Sequence, residues 1–128
     1  MSRLVRYAWA SPNTAIGLAF GLLALLLGGR SQAREGVLEF SGGALGALFA
    51  APWLACPFRA VTLGHVILAT DDGTLDCARS HEQVHVRQYE QWGPLFLPAY
   101  LASSLWQLAC GRHCYRDNWF ERQAYERA

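Results

Sequence analysis

The chain is 128 residues long, enough for one compact domain once a hydrophobic leading segment is set aside. Its 11 basic and 10 acidic residues leave a net charge of only +1 and are interspersed along the sequence, so there is no basic footprint for a polyanion and nucleic acid is not an expected partner.

In chain order, the first feature is a run from Tyr7 to Gly29 without a charged residue. Its most apolar part, Ala15 to Leu27, suits a signal-peptide hydrophobic region and, with its flanks, is just long enough to cross a bilayer. The expected division is therefore residues 1–33 as a membrane anchor or signal segment and residues 34–128 as a small folded domain. A retained single-pass anchor is favoured. Export after cleavage before Arg34 is the alternative, since Ser31-Gln32-Ala33 offers small residues at the right spacing, and a buried helix of a soluble domain is the third reading. Arg3 and Arg6 on one flank balance Arg30 and Arg34 on the other, so charge gives no orientation.

Val37 to Phe40 reads as a strand bounded by Gly36 and a glycine pair, with a turn over residues 41–47 leading into a short apolar segment that Pro52 and Pro57 break into irregular structure. Ala60 to Thr70 reads as one long strand ended by Asp71-Asp72-Gly73. A helix follows from about Leu75 to Trp92, capped by Thr74 or Asp72, with Leu75, Ala78, Glu82, His85, Tyr89 and Trp92 on its inward stripe. Gly93-Pro94 closes it. Leu95 to Cys110 is a second uncharged stretch, but Pro98, Ser103, Ser104 and Gln107 make it too short and too polar to span a membrane, and a buried or interfacial helix is expected. After a loop, a short helix from Trp119 to Arg127 is capped by Asp117 or Asn118. The expected class is α+β: a hydrophobic helix, a sheet of two or three strands on a central helix, a linking helix and a C-terminal helix. Cys56, Cys77, Cys110 and Cys114 allow three disulfide pairings outside the cytoplasm, the simpler reading being small buried hydrophobes.

The central helix carries the chemistry. His81-Glu82-Gln83-Val84-His85 has the His-Glu-x-x-His spacing, and on a helix positions four apart lie one above the other, so both imidazoles can grip one zinc ion. Glu82 is offset around the helix and reaches water beside the metal instead of the metal itself, the arrangement of a hydrolytic site. Two polar residues on a packed helix face are costly unless something satisfies them, which argues for a buried metal over two exposed histidines. A catalytic zinc needs a third protein ligand and an open position. His113, Asp117, Glu121, Glu126 and the cysteines are the candidates.

Glu121-Arg122-Gln123-Ala124 on the last helix resembles the Glu-x-x-Ala segment of the gluzincin metallopeptidases, in which a glutamate on a later helix completes the His-Glu-x-x-His site. The order of strand, motif helix, linking helix and glutamate helix resembles the minimal single-domain members of that group. The resemblance implies His81, His85 and Glu121 as zinc ligands and Glu82 as general base. It departs at Tyr125, where relatives often carry an aspartate that orients a ligand histidine; Asn118 or Asp117 is the available substitute. His65 is placed either along the substrate cleft or, more simply, packed in its strand. His113, Tyr115 and Tyr125 are candidate donors to an oxyanion.

The expected function is zinc-dependent peptide hydrolysis by a membrane-associated protein, with a peptide or protein as substrate and a possible membrane-held protein partner. The alternatives are a non-catalytic anchored module with a structural zinc, and a metal-free membrane protein.

Overall fold

A computed structural model describes residues 2–43 and 60–128; Cys56, Pro52, Pro57 and the segment expected to follow Gly43 lie outside the described residues. The architecture is α+β: an N-terminal apolar helix, a four-stranded sheet among the described residues, a long central helix and further helices leading to the C-terminus.

Helix α1 spans Arg3–Leu26, and the Ser2 side chain caps it by accepting from the Val5 amide at 3.3 Å. Pro12 lies inside it and cannot donate to the Ala8 carbonyl, but the Ser11 hydroxyl does so at 2.7 Å, so the helix continues. The helix is long and apolar enough to be a membrane span or a signal segment. Its inner stripe, Ala10, Asn13, Gly17, Gly21 and Ala24, is made of small residues at three- and four-residue steps. They let the backbone lie directly on the sheet: a Cβ at Gly17 would stand 2.7 Å from the Val66 Cβ, and one at Gly21 would stand 2.5 Å from the Phe40 ring.

Strand β1 (Arg30–Arg34) pairs antiparallel with β2 (Val37–Ser41), β2 runs parallel to β4 (Val66–Ala69), and β4 pairs antiparallel with β3 (Ala60–Leu63), giving the order β1-β2-β4-β3. Four strands replace the expected two or three for two reasons. Residues 30–34, expected at the end of a leader, are a strand. The long strand expected from Ala60 to Thr70 is a hairpin, because Gly64 adopts φ +62 and reverses the chain between Leu63 and Val66. Phe40, Val66 and Leu68 face α1 with Ala24, whereas Val37, Ile67 and Ala69 face the central helix with Leu75 and Val86. The sheet is thus covered on both faces, and β4 is buried throughout.

The central helix, α2, spans Asp72–Trp92. It starts three residues earlier than expected because Asp71, not Thr74 or Asp72, is the cap, accepting from the Thr74 amide at 2.7 Å. A 3-10 turn, Gly93–Leu95, leads into α3 (Phe96–Ala109), and α4 spans Trp119–Arg127. Asn118 caps α4 by accepting from the Phe120 amide, and its amide nitrogen donates to the Tyr100 carbonyl and to the Ser104 hydroxyl. One residue therefore fixes the entry of α4 against α3. Tyr89, Phe96 and Phe120 close a buried aromatic cluster joining α2, α3 and α4, with ring centroids 4.1 to 5.0 Å apart. The cysteines depart from the inert buried reading: Cys77 and Cys110 are exposed free thiols and Cys114 is disulfide-bonded. Cys110 and Cys114 are therefore not paired with each other.

Candidate metal centre

The site forms where α4 crosses α2. Phe120 and Ala124 anchor α4 in the core, which turns Glu121 inward toward the turn of α2 that carries His81 and His85. All three side chains are buried. Glu121 Oε1 lies 2.8 Å from His81 Nε2 and 2.9 Å from His85 Nε2, and the two imidazole nitrogens are 3.2 Å apart. One nitrogen from each histidine and one carboxylate oxygen thus converge within 4.8 Å of one another. The structure brings together the three residues singled out as ligands; Glu126 is exposed, and Asp117 and His113 stay in the loop, where the Asp117 carboxylate accepts from the His113 amide. Two imidazoles and a carboxylate, buried and sharing one focus, can hold a metal ion that accepts nitrogen and oxygen donors.

The electrostatics follow from burial and proximity. Burial alone would raise the Glu121 carboxyl, but hydrogen bonds from His81 and His85 and the charge of His85 outweigh it and hold the group at about 2. Burial works against protonation of His85, yet the hydrogen bond and charge of Glu121 raise it above the usual imidazole value.

Three supporting residues escaped the sequence reading. Gln88 is buried one turn beyond His85; its Oε1 lies 2.8 Å from His85 Nδ1, which keeps the proton on Nδ1 and leaves the Nε2 lone pair for the centre. Its amide nitrogen donates to the Phe120 carbonyl and to Gln123, so the same residue ties α2 to α4. Tyr100 donates to the second oxygen of Glu121 at 2.5 Å. Thr62, on β3, donates to Glu82 Oε2 at 2.6 Å. Gln88 had a sequence signal, since it falls two turns from His81 on the inward face; Thr62 and Tyr100 had none.

Tyr125 stands where an orienting aspartate was sought, and its ring packs over His81 at 4.4 Å. His81 Nδ1 is buried without a hydrogen-bond partner among the described residues. Neither suggested substitute bonds His81 or His85: Asn118 is used as the α4 cap, and Asp117 holds the loop by accepting from the His113 amide. Orientation of a ligand comes instead from Gln88, on the motif helix itself.

Glu82 is buried beside the three donors, and burial pushes its carboxyl up against the opposing effects of His85, Thr62 and His81. It lies on the wall between two cavities. One, about 390 Å³, is apolar and runs under α3, lined by Val61, Leu97, Tyr100, Leu101 and Leu108. The other, about 730 Å³, is more polar and passes Thr74, Cys77, His81 and Tyr125. Tyr115 borders both. His65 is not in the cleft: it points to the opposite side, stacked on Tyr7 at 3.9 Å and paired with Glu90 at 2.9 Å. No protein-family model, curated protein or solved structure matches the chain.

Proposed function

We propose that this protein is a membrane-associated, zinc-dependent peptide hydrolase of the gluzincin type. The observation that carries the reading is the position of Glu82: a buried carboxyl held by the Thr62 hydroxyl, beside a His81–His85–Glu121 focus and bordering both cavities. When bound, zinc supplies Lewis acidity, polarising a carbonyl and making water more acidic. His81, His85 and Glu121 would hold it, with Gln88 and Tyr100 fixing two of those three side chains.

Glu82 then takes a proton from water as the oxygen attacks the scissile carbonyl, and returns it to the amine as the carbon–nitrogen bond breaks. Thr62 holds the carboxyl in place for both transfers. β3 is an edge strand of the described sheet and its residues Ala60 and Thr62 line the cavity, so an extended peptide can lie along it. Tyr115, whose hydroxyl stays protonated through burial and the nearby charge of Glu121, borders both cavities and is a candidate donor to an oxyanion together with Tyr125, to which it is hydrogen-bonded; His113 is turned into its own loop. A purely structural zinc is the weaker alternative, since three protein ligands beside a cavity leave the centre open and a structural site would have no use for Glu82.

Glu82→Gln tests the reading. The variant retains zinc and loses peptide cleavage by on the order of a hundredfold or more. Cleavage equal to that of the unaltered protein would remove Glu82 as the base.

A further inference from the structure

From Ala15 to Leu26 helix α1 is apolar all round, yet the described residues cover only its inner stripe: 28% of its most apolar window is buried. The outer rows, Leu18-Leu22-Leu25 and Ile16-Phe20-Leu23, are exposed and wrap well over half the circumference. A seam with another helix uses a narrow stripe, whereas lipid wets a wide arc. The charges flanking this face are basic at both ends, Arg3 and Arg6 before it and Arg30 and Arg34 after it; Arg6 also faces Glu90 at 4.0 Å and Arg30 faces Asp72 at 3.4 Å, so Arg3 at one end and Arg34 at the other are the charges that best complement anionic lipid headgroups.

The fold also weighs against a crossing. At 24 residues α1 is about as long as a bilayer's hydrocarbon core is thick, so a crossing would place its two ends at opposite surfaces. One polar hairpin joins those ends. β1 begins at Arg30, just beyond the C-terminal end of α1, and the Glu35-Gly36 turn returns to its N-terminal end, where Tyr7 donates to the Gly36 carbonyl and the Arg3 guanidinium lies alongside. All five residues of β1 are exposed and β1 is an edge strand, so crossing would drag Arg30, Gln32, Arg34 and an open strand edge through hydrocarbon. The middle of α1 is held to the domain as well: Trp9 donates to the Gln91 carbonyl, Asn13 to the Gly93 carbonyl, and Thr14 accepts from the His65 amide. Nor is α1 dispensable, because removal before Arg34 would cut β1 and strip the cover from Phe40 and Val66.

We propose that α1 is a retained helix lying in the plane of one leaflet, its outer face in lipid, so that the whole described domain sits on one side of the membrane. The negative charge of the leaflet meets the arginines at both helix ends, which explains why the flanks are balanced: in this geometry neither end needs to be the inner one.

The test uses the full chain in the cells that express it, with the free thiols Cys77 and Cys110 replaced by serine and a single cysteine placed at Arg3 or at Ser31. An impermeant thiol reagent should label both positions in intact cells, or both only after the membrane is opened. Labelling of one position from each side overturns the in-plane placement. Recovery of the chain in the soluble fraction overturns the lipid contact in favour of a second copy or no partner, and an N-terminus at Arg34 overturns retention. Independently, the purified protein should bind phosphatidylglycerol vesicles more tightly than phosphatidylcholine vesicles. A Leu18→Gln, Leu22→Gln, Leu25→Gln variant should bind the former roughly tenfold or more weakly, with circular dichroism and melting temperature unchanged. Equal binding by a folded triple variant overturns the assignment of this face.

Discussion

The α2–α4 crossing and helix α1 invert the usual distribution of polarity. At the crossing, four ionisable side chains, His81, Glu82, His85 and Glu121, are buried together with Gln88, and each finds its partner within the protein. On α1, leucines, an isoleucine and a phenylalanine stand on an exposed face that the described residues leave uncovered. The difference locates what each region lacks. Apart from His81 Nδ1 the crossing has its hydrogen bonds, but it gathers donor atoms around a common focus, which calls for a cation; the helix has its core packing but leaves a large apolar face, which calls for an apolar medium.

The comparison can be sharpened at Gln88, where the largest effect short of removing a ligand is expected. Gln88→Leu removes the acceptor at His85 Nδ1 and the donor that ties α2 to the Phe120 carbonyl and Gln123, so zinc affinity should fall by about 10- to 100-fold. Gln88→Glu, which keeps the acceptor, should recover much of it; titration of the metal-free protein measures both.

On α1 the two faces should respond in opposite ways. Gly21→Ala forces a methyl group into the Phe40 ring and should cost about 1–3 kcal/mol of stability. Leu22→Ser, on the exposed face, should stay within about 0.5 kcal/mol in detergent or buffer. Equal effects, read from denaturant unfolding, would mean that α1 does not pack as described.

A smaller effect distinguishes proton from metal at the centre. Glu121 is depressed to about 2 in the folded state, so its contribution is present above its ordinary value and lost only as pH falls toward 2. His85 is raised, so its contribution is complete below the ordinary imidazole value of about 6.5 and is lost as pH rises through the folded value. The metal-free protein should therefore melt at a lower temperature at pH 8 than at pH 6. Metal competes with that proton, so added zinc should stabilise more at pH 8 than at pH 6. Parallel pH profiles with and without zinc would contradict this coupling.

Much of the centre was legible because helix periodicity is local. The four-residue spacing of His81 and His85, the inward stripe of α2 and the Asn118 cap before α4 are all written within a few residues of one another. The third ligand was legible only through resemblance, since nothing local says that residue 121 meets residues 81 and 85; that contact depends on Phe120 and Ala124 docking α4 in the core. Gln88 has the right period, but a glutamine side chain carries no signal of its own that it orients a ligand. The split of Ala60–Thr70 was missed because alternation is the same in one strand as in a tight hairpin, and only the conformation of Gly64 decides. For α1, hydropathy reads alike for an anchor, a signal and a surface helix. What separates them is the small-residue stripe against Phe40 and Val66 and the hairpin that joins both helix ends.

Elemental analysis of the purified protein, alone and after zinc titration, tests the centre most directly. The expected result is one zinc per chain, lost in His85→Ala and in Glu121→Ala and kept in Glu126→Ala, whose side chain is exposed and remote from the focus. No zinc in the unaltered protein before or after titration, or equal zinc in the Glu121→Ala variant, would contradict the assignment of His81, His85 and Glu121 as a metal centre.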